Sequence, residues 1–188
     1  MLALARFLSI FCPTLFAGVT AQYSFILVDP TIAHAPNEKI MAKLWLQAYQ
    51  LGPYWVPPLI LPGTIANLYL AISSTQSSWQ RYSYLFAACS IFSILMPITF
   101  FYMEPGINGA CKWKVQLLLK EEGFMMPDTT IWKPSAHCHG GTQKSREWAE
   151  KTSIIELMLF WRKINNLRWI LAALATIASA WATFSGMA

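Results

Sequence analysis

Two carboxylates stand where their neighbours could give them chemistry. Asp29 and Glu104 each close an apolar run and each precede a proline, in Val28-Asp29-Pro30 and Met103-Glu104-Pro105. Proline disfavours helix at the residue before it, so both runs are expected to be helices that end at one level with an acid at each mouth. The C-terminal end of a helix carries partial negative charge. That field, partial desolvation and a like-charged neighbour would each raise a carboxylic pKa. Such a pair would divide into a general acid and a general base. The plainer alternative is a solvated interfacial acid at each helix end. His34, five residues beyond Asp29, is near enough for proton transfer, although an ordinary loop histidine is the plainer reading.

Polar and small residues recur on the faces behind these acids. Gly18, Gln22 and Asp29 share one side of the first apolar run, and Ser90, Ser93, Pro97 and Glu104 share one side of the third. Gly63 and Asn67 do so on the second, and Thr176, Ser179 and Thr183 on the fourth. In membrane bundles such residues turn inward, usually to pack and hydrogen-bond between helices. The amides of Gln22 and Asn67 need partners if buried, which makes them candidate substrate contacts. Tyr23, Tyr54, Trp55 and Tyr102 would form either an aromatic wall or the interfacial belt. His137-Cys138-His139 looks metal-like, yet adjacent residues do not easily ligate one ion and no second ligand pair accompanies them. No metal or cofactor is expected. Nothing resembles a phosphate loop, a dinucleotide fingerprint or a Ser-His-Asp elbow.

The elements that must position these residues are helices in lipid. With 55% hydrophobic and only 12% charged residues, the chain lies outside the usual globular range. Residues 4–28, 53–72, 82–103 and 167–184 are each long enough to cross a hydrocarbon core, which takes about 20 helical residues. Val19, Thr20 and Ala21 suggest a signal-peptide cleavage point, but the apolar run continues through Val28, so an uncleaved span is expected. Ile40, Met41, Leu44, Ala48 and Leu51 recur at helical spacing opposite Lys39, Lys43 and Gln47. This predicts an interfacial helix over 37–51, begun by Pro36 and Asn37 and anchored by Trp45 and Tyr49. A tight turn is expected over 73–78. The long loop 104–166 should hold a helix from Asn108 to Glu122 ended by Gly123, then an irregular stretch, then helix from about Ser145 into the last span. The fold class is therefore all-α: an integral-membrane four-helix bundle in one domain, 1–188, with a short interfacial helix and a long helix-containing loop.

The net charge of +5 does not call for nucleic acid, because its distribution serves topology. Residues 30–52 and 104–166 hold eleven Lys and Arg, against Arg6 and Arg81 on the other side. The positive-inside rule places those two segments in the cytosol and both termini in the lumen, with the endoplasmic reticulum as the expected membrane. Cys111 and Cys138 would then face a reducing compartment, and no disulfide framework is implied. Self-association stays open.

Trp45-x3-Tyr49-x2-Gly52, the prolines of the second span and Met103-Glu104-Pro105-Gly106-Ile107-Asn108-Gly109-Ala110 together resemble the anthrone-oxygenase-like superfamily of small fungal membrane proteins, which tailor polyketides. The resemblance covers nearly the whole chain. It implies a four-span fold, a lipophilic polyketide substrate and, in the anthrone oxygenases, cofactor-free oxidation by dioxygen. Those enzymes usually carry histidine where this chain has Pro53, and a Pro-Thr-Asn-type turn where it has Pro105-Gly106-Ile107-Asn108, so only Asn108 carries over. The chain also looks like the membrane hydrolases and cyclases that open epoxides in fungal polyene-pyrone pathways. Two acids of unequal pKa suit epoxide opening, which needs a proton for the departing oxygen and a base for the nucleophile. The expected function is thus a metal-free epoxide hydrolase or cyclase, with cofactor-free anthrone oxygenation, for which His34 would be the base, as one alternative and a non-catalytic membrane adaptor as another. A transporter would show inverted repeats and broken helices that this short chain lacks.

Overall fold

The apolar runs fold into helical stretches that continue well beyond the runs themselves. A computed structural model describes residues 1–73, 77–130, 132–133 and 135–185, which are helical but for short links and the described residues between Gly123 and Thr142, where one bridge joins Asp128 to His139. Four stretches are long and apolar enough to span a membrane: Leu2–His34, Glu38–Ser73, Ser78–Glu122 and Ile154–Ser185. The shortest has 32 residues, about 48 Å of helix against a hydrocarbon core of about 30 Å. The chain is a multi-pass, all-α membrane protein.

In chain order the elements are α1 (Leu2–Gln22), a π-helical turn (Tyr23–Val28), α2 (Asp29–His34), α3 (Glu38–Ser73), α4 (Ser78–Ser93), a second π-helical segment (Ile94–Asn108), α5 (Gly109–Leu119), a 3-10 turn (Lys120–Glu122), α6 (Gln143–Lys151) and α7 (Ile154–Ser185). Local chemistry sets several starts. Asn37 Oδ1 accepts the Ile40 N–H at α3, Ser77 and Gln80 form a capping box at α4, Thr142 accepts the Ser145 N–H at α6, and Ser153 with Glu156 does the same work at α7. Gly123, with φ of 76°, stops the helix that α5 begins, as expected.

Three expectations need correction. The first helix does not end before Pro30 but continues through it as α2, whereas the third passes Glu104 and Pro105 only to reach a kink at Gly106, whose φ of −98° and ψ of −105° are not helical. A π-helical turn leaves backbone groups out of the usual ladder, so a proline without an N–H fits there at little cost. Residues 37–51 do not form a separate helix but the first part of α3, which runs on through Gly52 and Pro53. The final helix is interrupted, because Thr152 turns extended after α6 and α7 starts afresh. Of the turn expected over 73–78, residues 74–76 lie outside the described residues.

The chain divides into two compact units. The first, residues 1–20, 54–96 and 167–188, joins its helices through small and polar side chains. Asn67 is fully buried, donates to Gly63 O and Ser9 O, and accepts from Ser179 Oγ at 2.7 Å. Tyr84 and Thr183 hydroxyls meet at 3.0 Å, and Gln80 caps Ala182 O. Large apolar side chains such as Phe7, Phe11, Ile65, Ile72, Ile177 and Phe184 face outward, as lipid requires. The second unit, residues 21–53 and 97–166, buries a core that includes Trp45, Met103, Ile107, Val115, Leu157 and Trp161.

Candidate functional site

Within the second unit, helix spacing turns one side chain after another toward Glu104. Glu104, Asn108 and Lys112 follow at intervals of four, and Trp45 and Tyr49 do the same on α3. Glu104 is 7% exposed and Lys112 is fully buried. Glu104 Oε1 accepts from the Tyr49 hydroxyl and, at 2.7 Å, from Asn108 Nδ2. Glu104 Oε2 accepts from Lys112 Nζ at 2.9 Å. Asn108 in turn accepts the indole N–H of Trp161 at 3.0 Å. Trp45 stacks on Tyr49, with ring centroids 5.0 Å apart and planes 9° from parallel, and meets Trp161 edge-on at 6.3 Å.

The irregular stretch of the long loop closes over this network. Lys112 Nζ also donates to Ser135 O at 3.1 Å and Cys138 O at 2.9 Å, so its three ammonium protons have three acceptors. Gly141 lies against Gly109 so closely that a Cβ on Gly109 would stand 2.5 Å from Gly141 Cα. Thr142 N–H then donates to Pro105 O. His139 is buried in the same stretch, with backbone bonds to Pro127 O and from Thr129 N–H. Gln116 Oε1 accepts the Met126 N–H, which makes His139 Nε2, 2.9 Å from that same oxygen, the donor of its bond. Burial pushes the His139 pKa down to about 4, helped by the Arg146 and Lys112 cations and opposed by Asp128.

The structure places the residues singled out in the sequence as follows. Glu104 and Asn108 come together. Asp29 is half exposed and paired with Arg162, and the two carboxylates share no hydrogen-bond partner among the described residues. His34 closes α2 on the exposed side. Tyr23 packs partly buried against the core, whereas Gln22, Tyr54, Trp55 and Tyr102 are exposed. Asn67 serves the packing of the first unit. Among the described residues no three His, Cys, Asp or Glu side chains gather as a metal site. His137 is exposed, and the carbonyl of Cys138 serves Lys112. The sequence reading missed Lys112 and Trp161 and took Tyr49 for an anchor. The spacing of Glu104, Asn108 and Lys112 was the signal that would have found Lys112.

An anthrone oxygenase family model matches residues 45–178, which contain every member of this network. Searches of curated proteins and of solved structures each find no match. The family match overturns the expected epoxide hydrolase or cyclase activity, and with it the hydrolase assignment. The geometry supplies a physical reason, since each carboxylate has a cation of its own instead of sharing a proton with the other. Matched over the greater part of its length, the chain belongs to the anthrone oxygenase family.

Proposed function

We propose that the protein is a cofactor-free oxygenase that converts the activated methylene of an anthrone-type polyketide into a carbonyl with dioxygen. One observation carries this reading: the residues of both family motifs, Trp45 and Tyr49 with Glu104 and Asn108, meet around one buried carboxylate that holds a phenol. The methylene of such a substrate is a carbon acid, because the anion left behind is an aromatic enolate. With Pro53 where the family usually carries histidine, the base comes from this network. Tyr49 Oη takes the proton as the C–H bond breaks, and its own proton passes to Glu104 Oε1. The electron-rich enolate reduces dioxygen and bonds to it at the same carbon. Loss of one water from the resulting hydroperoxide, with the second C–H proton, leaves the carbonyl. Anthrone and one dioxygen give quinone and one water.

The substrate is a flat, lipophilic polyketide reached from the bilayer, and lipid surrounds the apolar exterior of the first unit. The membrane is that of the endoplasmic reticulum, and the eleven-to-two distribution of basic residues supports both termini being lumenal.

The test is purified protein with a hydroxylated anthrone under air, following quinone absorbance and oxygen uptake against the uncatalysed reaction. One oxygen is consumed per quinone, chelators leave the rate unchanged, and Tyr49→Phe and Glu104→Gln each slow turnover by about 10² to 10⁴. A rate equal to autoxidation would reject the oxygenase and leave the adaptor reading. Should His34→Asn abolish turnover while Tyr49→Phe and Glu104→Gln retain it, the base is at the end of α2 and the relay is wrong.

A further inference from the structure

Two indoles meet beside the Tyr49–Glu104 bond, and they differ in one respect. Trp161 spends its N–H on Asn108 Oδ1. Trp45 is 1% exposed, and its Nε1 is buried with no hydrogen-bond partner among the described residues. A buried donor left without an acceptor is a standing cost to the fold. Phenylalanine would stack on Tyr49 without that cost.

We propose that the Trp45 N–H is a catalytic hydrogen-bond donor kept for an anionic oxygen of the substrate, an inference that rests on the oxygenase reading above. The indole N–H donates and cannot accept, so its partner is an oxygen that carries negative charge or a carbonyl lone pair. Its position narrows the choice. Trp45 lies face to face with Tyr49 at 5.0 Å, so the oxygen it serves belongs to the same molecule whose proton Tyr49 takes. In an anthrone the methylene and the ketone stand at opposite ends of one central ring. When the C–H bond breaks and the proton moves to Tyr49 Oη, the electron pair runs through the ring to the ketone oxygen. Proton and charge therefore appear at two ends of one ring. A preorganised donor at the charged end lowers the barrier more than it tightens ground-state binding. No oxidant is needed for this step, since dioxygen reacts with the enolate afterwards.

Trp45→Phe is the first test, in purified full-length protein. Its kcat for anthrone oxidation falls about 10² to 10³-fold, while KM moves little. β-(3-Benzothienyl)alanine at position 45 keeps the ring shape and replaces the N–H with sulfur, so it separates a lost donor from lost packing. It shows the same fall in kcat with unchanged thermal unfolding. A second readout needs no turnover: 1-hydroxyanthraquinone, which changes colour on ionising, is titrated while bound. On the wild type it ionises about one pH unit or more below its value on the benzothienyl variant, as a charge-assisted bond requires. Wild-type kcat and an unshifted dye titration in the benzothienyl protein would overturn the donor and leave the oxygenase standing. If the wild type fails to oxidise anthrones yet the dye shift depends on Trp45, the oxygenase reading falls and the donor remains.

Discussion

Lys112 carries the energetics of the site at the scale of single residues. A fully buried ammonium is tolerable only when charge and every proton are matched, and Glu104 with the Ser135 and Cys138 carbonyls does this. Removing one partner strands the other. Lys112→Met is expected to cost about 3 to 5 kcal/mol by leaving a buried carboxylate without its cation. The double variant Lys112→Met with Glu104→Gln should recover a good part of that loss. Thermal unfolding in detergent, run as a double-mutant cycle, measures the coupling, and a Lys112→Met protein that melts with the wild type would show the pair to be inert. Glu104 was legible in the sequence because an acid at the end of an apolar run is conspicuous. Lys112 was not, since a lysine in a basic loop reads as solvated unless its spacing from Glu104 and Asn108 is counted through Pro105. Asp29 shared every outward feature of Glu104 yet met Arg162, a residue 133 positions away. Tertiary pairing of that kind leaves no local trace.

At the scale of elements, both prolines were read as helix ends; helix instead runs through Pro30 as α2, and the break near Pro105 comes at Gly106, inside a π-helical segment that apolar patterning does not encode. The loop over the site was equally opaque, because it is built on backbone bonds and two glycines. Its contact is a matter of atoms in the way. Gly109→Ala would put a methyl group 2.5 Å from Gly141 Cα, so backbone on both sides must separate. This substitution should release residues 135–142 and uncover Lys112, seen as faster proteolytic cleavage within the loop while helicity is retained. Equal cleavage of wild type and variant would mean that the close approach does not hold the loop. The same loop should respond to acid. His139 is held neutral, with a pKa of about 4 against an ordinary value near 6.5. The open or unfolded form therefore binds the proton first. The stabilisation is complete above about pH 6.5 and is lost as pH falls toward 4. A protonated ring would face Arg146 and Lys112 with only Asp128 to offset them. Hydrogen exchange across residues 126–142 should accelerate over that interval, and His139→Gln should flatten the dependence.

For the whole molecule, charge divides by unit. All nine acidic residues and eleven of the fourteen basic ones belong to the second unit, while the first holds Arg6, Arg81 and Arg168 and no acid. Four spans were legible in the sequence because apolar runs near 20 residues, with Arg6 and Arg168 the charged side chains in them, have few other fates. The length of the helices was not, since Glu38–Pro53 and Ile154–Asn166 are amphipathic and charged, and tertiary packing in the second unit draws them into α3 and α7. The positive-inside rule predicts an orientation from the difference between these two sets of charges. Lys and Arg in short segments beside spans resist translocation, and here Lys39 and Lys43 follow the first span while Arg162 and Lys163 precede the last. An even number of spans puts both termini on the side opposite those residues. In sealed microsomes, a tag at either terminus should survive added protease until detergent is present, and an acceptor sequence for N-glycosylation at the C-terminus should be glycosylated. Cleavage of the C-terminal tag in intact vesicles would invert the topology, and with it would place the Glu104 network and the loop that covers it on the lumenal side.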